Sequence, residues 1–212
     1  MKARDFRNQA WGKLSGNWTV AVVVFLIYSL IAGLAGITGV GSIAVLILSG
    51  AFAVGLASVC LRISRTHSAK VEDMFDGFRV GLGSNIITGL LVALYTFLWT
   101  LLFVIPGIVK SYSYAMTFYI LADNPDMAPS EAITRSREMM NGNKWRLFCL
   151  DFSFIGWLLL SALTCGILSF WVMPYMEMAR VEFYESLKGA QPTDNTAFVG
   201  GEAQDPNQST MI

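Results

Sequence analysis

"WTVAVVVFLIYSLIAGLAGITGVGSIAVLILSGAFAVGLASVCL", residues 18–61, contains no charged side chain and is interrupted near its middle by closely spaced glycines. One helical crossing of a bilayer core needs about 20 apolar residues. The stretch therefore divides into two spans, about 18–38 and 42–61, and "GVG" at 39–41 leaves room only for a tight hairpin. The basic "MKARDFRNQAWGKLSGN" ahead of it superficially suggests a secretory signal. The apolar run is too long for a signal core and no clear small-residue cleavage site follows it, so it reads as a retained first span.

The rest of the chain repeats this plan. Segments at about 85–105, 107–122, 145–166 and 167–187 approach spanning length, and they too pair across minimal links, Pro106-Gly107 in one case and "TCG" at 164–166 in the other. Composition agrees: the 212 residues are 54% hydrophobic and 14% charged, with a mean hydropathy of +0.53. That is the range of an integral membrane protein. Fifteen basic and fifteen acidic residues balance, which gives no electrostatic footprint for nucleic acid. Cys60, Cys149 and Cys165 all lie in apolar runs, and an odd number so placed reads as packing residues.

Before each hairpin comes an amphipathic segment: Phe6, Ala10, Trp11 and Leu14; then Val71, Met74, Phe75 and Phe78; then Ile133, Ser136, Met139 and Met140 behind Pro129 and Glu131. Each reads as a helix lying at the membrane interface. The hairpins also open alike, with "SGNW" at 15–18, "GLGSN" at 81–85 and "NGNKW" at 141–145. The expected fold is thus all-α, with six transmembrane helices in three tandem units of interfacial helix plus hairpin, about 1–62, 63–123 and 124–188. Together they form one polytopic domain over 1–188. Residues 189–212, polar and without a basic side chain, read as a disordered tail. Lys and Arg concentrate before the first span and in the second-to-third and fourth-to-fifth links, with Lys110 alone near the other side, so both termini and the tail are expected in the cytoplasm.

Three blocks, "PGIVKSYSYAMTFYILADNPDM", "EAITRSREMMNGNKWRLFCLDFSFIGW" and "PYMEMARVEFY", resemble the bacterial integral-membrane family called domain of unknown function 975. The resemblance covers roughly residues 2–187. It implies a multi-pass protein of a bacterial cytoplasmic membrane, typically Gram-positive, with no biochemical activity established for the family and no functional residues to carry over.

Ionisable groups inside spans are costly, about 2.5–3.5 kcal/mol each at a helix centre, and single out Lys110, Asp151, Glu177 and Arg180. Asp151 lies about 9 Å below its interface, and Glu177 and Arg180, three residues apart on one helix face, lie near mid-membrane. Asp151 is expected to pair with Arg180, and Lys110 either to reach towards Glu177 or to snorkel to the interface. Such a polar centre either fixes helix register or lines a path for an ion or small solute. Pro174, just before Glu177, is expected to kink the sixth helix. Gly33 and Gly36, with Ala51 and Gly55, offer small surfaces for close helix packing.

His67 is the only histidine, and there is no phosphate loop and no nucleophile elbow. No metal, cofactor or catalytic set is expected. The leading functional reading is a non-enzymatic membrane scaffold, accessory subunit or envelope-maintenance protein, partnered by the lipid bilayer and by another membrane protein or a second copy. A small transporter or channel is the alternative.

Overall fold

The computed structural model describes residues 3–36, 39–164 and 166–189. Lys2, Cys165 and the tail from 190 onward lie outside the described residues. Eleven α-helices and one 3-10 helix follow one another with no strand among the described residues: α1 (Ala3–Leu14), α2 (Trp18–Gly36), α3 (Gly39–Thr66), the 3-10 helix Val71–Phe75, α4 (Asp76–Arg79), α5 (Leu82–Leu102), α6 (Val104–Tyr114), α7 (Thr117–Asp123), α8 (Pro129–Met139), α9 (Lys144–Phe152), α10 (Ile155–Leu163) and α11 (Ser169–Lys188). Four stretches are long and apolar enough to cross a membrane: Trp18–Gly36, Ala44–Thr66, Leu82–Leu102 and Lys144–Leu163.

α3 is the axis of the molecule, touching α2, α5, α7, α11 and the 71–79 segment. The dense core collects at one end, where α1 and α7 meet the C-terminal halves of α3 and α11; Phe6, Leu14, Ile63, Leu121 and Phe183 are fully or nearly fully buried there. At the other end the hairpins splay, leaving Leu34, Leu101, Ile105 and Leu163 exposed. Apolar contact between helices gains little where the surroundings are as apolar as the side chains, so such a surface suits lipid.

α1 follows from its sequence. Asp5 in its first turn and Lys13 in its last complement the helix dipole, and Phe6, Ala10 and Leu14 fall on one face. That face is buried against α11, α9 and α3 rather than turned to lipid, as the interfacial reading expected. Met74, Ala132, Ile133 and Ser136 from the other two amphipathic segments are buried against protein likewise. The openings of the three hairpins share a backbone feature: Gly16, Gly81 and Gly142 all take positive φ, at 95°, 65° and 76°, a conformation that glycine adopts without steric cost.

The middle hairpin turns at Phe103, whose extended φ of −156° is the only break between α5 and α6. Pro106 and Gly107, expected to be the turn, lie in the opening turn of α6. A proline is tolerated there because the first N–H groups have no helical partner. Gly107 permits close approach, since a Cβ on it would strike Thr100 of α5. The segment read as one span over 107–122 breaks at Ala115 and Met116 into α6 and α7. The 145–166 segment breaks at Ser153 and Phe154, where the Ser153 hydroxyl donates to Leu150 O at 2.7 Å and competes with the helical ladder. α11 runs continuously through Pro174.

Gly33 and Gly36 do not pack. A Cβ at either would meet nothing within 4 Å, although Tyr28 and Ile31 earlier on α2 pack against the core. Ala51 and Gly55 do mark a close approach, but to the 71–79 segment: a Cβ on Gly55 would strike Met74 O, and one on Gly77 would strike Ala51 O.

Candidate functional site: a charged row on the last helix

Glu177, Arg180, Tyr184 and Lys188 are spaced by three, four and four residues along α11 and so share one face. Opposite them stand Tyr119 and Asp123, one turn apart on α7, and Asp151 of α9. Arg180 grips Asp151 with two parallel hydrogen bonds, Nε to Oδ1 at 3.1 Å and Nη2 to Oδ2 at 3.2 Å, while Nη1 donates to Glu177 Oε1 at 3.1 Å. Planar guanidinium and carboxylate match in this two-point geometry, which makes the pair directional as well as charged. Tyr119 Oη donates to the other Glu177 oxygen at 2.5 Å.

The Tyr119 ring stacks on Tyr184 with centroids 5.7 Å apart, linking this group to a second one around Asp123. Asp123 accepts from Arg65 at 2.7 and 2.8 Å, from Lys188 Nζ at 2.8 Å and from Tyr184 Oη at 3.0 Å. Arg65 also donates to Glu185 at 2.7 Å. On another face of α11, Glu182 is 5% exposed and accepts from Lys13 Nζ at 2.9 Å and Ser64 Oγ at 2.7 Å. The row ties α7 and α9 to the last helix, and Glu182 and Glu185 beside it tie α1 and α3.

Burial alone raises the pKa of the Asp123 carboxyl, but its hydrogen bonds to Arg65 and Lys188 outweigh that and hold it below the ordinary 3.8. Because the folded-state value is the lower one, this contribution to stability is complete above about pH 4 and is lost as pH falls through the folded-state pKa. Acid unfolding followed by circular dichroism should show this loss, and Asp123→Asn should flatten it while lowering stability at neutral pH by about 2 kcal/mol. Unchanged acid sensitivity in Asp123→Asn would assign the loss to another carboxylate.

Of the residues singled out from sequence, Asp151, Glu177 and Arg180 come together and Lys110 does not. Lys110 Nζ lies 4.6 Å from the centroid of the Trp99 ring and lines a cleft with Arg137 and Lys144, well away from Glu177. Its place on α6 turns it to α8, the opposite way from α11. Asp123, Glu182 and Lys13 escaped the sequence reading: Glu182 looks like a residue emerging at the interface, and Asp123 like part of a polar link. The 3-4-4 spacing on α11 extends the charged face past Arg180 to Tyr184 and Lys188 and so signals that the row needs partners, but it points to none of these three residues.

Asp151 and Arg180 are partly open, at 18% and 29% side-chain exposure, to a cavity of about 370 Å³ bounded by Ile108, Tyr112 and Leu147. The Ser64 hydroxyl is buried and directed to Glu182. His67 is exposed at the end of α3, and no group of His, Cys, Asp and Glu able to hold a metal occurs among the described residues.

Residues 101–191 match the family model described as Protein of unknown function (DUF975). Over this segment the chain is similar to that family. No curated protein and no solved structure matches the chain. The DUF975 segment holds α6 to α11 and with them Tyr119, Asp123, Asp151 and the whole charged face of α11; Lys13, Ser64 and Arg65 reach it from outside.

Proposed function

We propose that this chain is a non-enzymatic, multi-pass protein of a bacterial cytoplasmic membrane, with both termini cytoplasmic, and that its charged row locks one end into a rigid platform for a membrane protein partner or a second copy. One observation carries the reading: Glu177, Arg180, Glu182, Glu185 and Lys188 of α11 each have an opposite charge within hydrogen-bonding distance. Groups satisfied in this way hold helices in register and leave no free ligand for a permeating ion. Six crossings in three units remain the preferred topology. α6 with α7 and α11 add two segments of about 30 Å each at 1.5 Å per residue, and the shared positive φ of Gly16, Gly81 and Gly142 supports a recurring unit.

The test is flux. Purified protein in liposomes is expected to leave an imposed proton or sodium gradient intact, and Glu177→Gln is expected to change nothing but thermal stability. The transport reading is favoured by the cleft beside Asp151 and Arg180. A gradient that the protein dissipates at a rate altered by Glu177→Gln would establish that reading and displace the first.

A further inference from the structure

Lys110, Arg137 and Lys144 are cations that line one cavity without an ion pair among the described residues. Lys13, Arg62, Arg65, Arg180 and Lys188 each have a carboxylate within 3.1 Å. None of these three forms an ion pair among the described residues, although Lys110 and Lys144 are each only partly exposed. They converge from α6, α8 and the start of α9 on one polar cavity of about 370 Å³, whose lining includes a single carboxylate, Glu138. The lining thus keeps a surplus of two positive charges.

A second cavity of about 370 Å³ adjoins the first and shares Lys110, Thr134 and Arg137 with it. Its other walls are mostly apolar or aromatic, with Leu91, Tyr95 and Trp99 of α5 on one side and Ile133 of α8 on the other. Leu94 and Leu98, exposed on α5, continue that apolar surface outward. Trp99 already offers its ring face to the Lys110 ammonium, which orients the cation without neutralising it. An uncompensated cation pair opening onto an apolar trough is complementary to an anion that carries a long hydrocarbon tail. Basic pockets between helices bind lipid phosphates through this chemistry.

We propose that the cleft between α5, α6 and α8 binds an anionic phospholipid, with its phosphate between Lys110 and Arg137 and one acyl chain along Leu91, Tyr95 and Trp99. The inference rests on the chain lying in a bilayer and is independent of what the charged row on α11 does.

The full-length chain in neutral detergent, titrated with phosphatidylglycerol and followed by native mass spectrometry, should take up one lipid saturably. Phosphatidylcholine, whose headgroup carries a compensating cation, should bind about tenfold more weakly. Arg137→Gln changes an exposed side chain and so spares the fold; it should weaken phosphatidylglycerol about fivefold, and Lys110→Gln with Arg137→Gln by more than tenfold. Lys110→Arg with Arg137→Lys keeps the charges and should keep the affinity. Equal binding of the two lipids, or an Arg137→Gln protein that binds phosphatidylglycerol like the wild type, overturns the proposal. So does inorganic phosphate that displaces the lipid at equal concentration, because the site would then recognise a free anion.

Discussion

Arg180→Gln is expected to destabilise the protein by about 3 kcal/mol, more than the loss of either acid it holds. Arg180 is the cation that both Asp151 and Glu177 face, at 3.1 Å in each case. Removing it leaves two partly buried carboxylates side by side with no compensating charge, and glutamine can donate to only one of them. Glu177→Gln is milder, because the two-point grip on Asp151 survives and the side chain still accepts from Tyr119 Oη. Asp151→Asn falls between, since Arg180 keeps Glu177 but loses the planar match. Thermal unfolding in detergent should therefore rank the three as Arg180→Gln, Asp151→Asn, Glu177→Gln from most to least damaging. The triple neutral variant should recover much of the loss, because the penalty comes from unpaired charge rather than from missing attraction. A Glu177→Gln protein as unstable as Arg180→Gln would remove the arginine from the centre of this account.

Hydropathy made the helices legible because a spanning segment must be long and apolar whatever it packs against. The pairing of Asp151 with Arg180 could also be anticipated, since few charges occur in such segments and opposite ones have few places to go. What each surface faces could not be read in the same way. An amphipathic stripe such as Phe6, Ala10 and Leu14 looks the same whether it meets lipid headgroups or the flank of α11, and here it meets α11. Lys110 illustrates the same gap: whether it turns to α11 or to α8 depends on how α6 is rotated, which no local pattern records. Glu182 has an unremarkable position near a helix end, and only the return of α1 with Lys13 buries it.

Glycine positions give the clearest separation between motif and contact, and Gly89→Val is the substitution expected to do most harm outside the charged row. α3 and α5 cross where Gly50 faces Gly89. A Cβ on Gly89 would lie 2.6 Å from Gly50 Cα and 2.8 Å from Gly50 N, and one on Gly50 would lie 2.9 Å from Gly89 Cα and closer still to Asn85 O. The obstructing atoms are backbone, so no rotamer change relieves the clash and the two helices must move apart. The displacement would also disturb Asn85, 1% exposed, whose amide donates to Gly77 O at 2.8 Å and Val80 O at 3.0 Å and so anchors the start of α5 to the segment before it. Overpacking with lost hydrogen bonds should cost about 3 kcal/mol or abolish folding, and Gly89→Ala should cost less in the same direction. Gly33→Ala is the matched control. It meets nothing within 4 Å, so it should change stability by no more than about 1 kcal/mol, towards a gain, through the higher helix propensity of alanine. Thermal unfolding of Gly89→Ala and Gly33→Ala side by side decides the matter: equal midpoints would mean that α3 and α5 do not cross at Gly50 and Gly89.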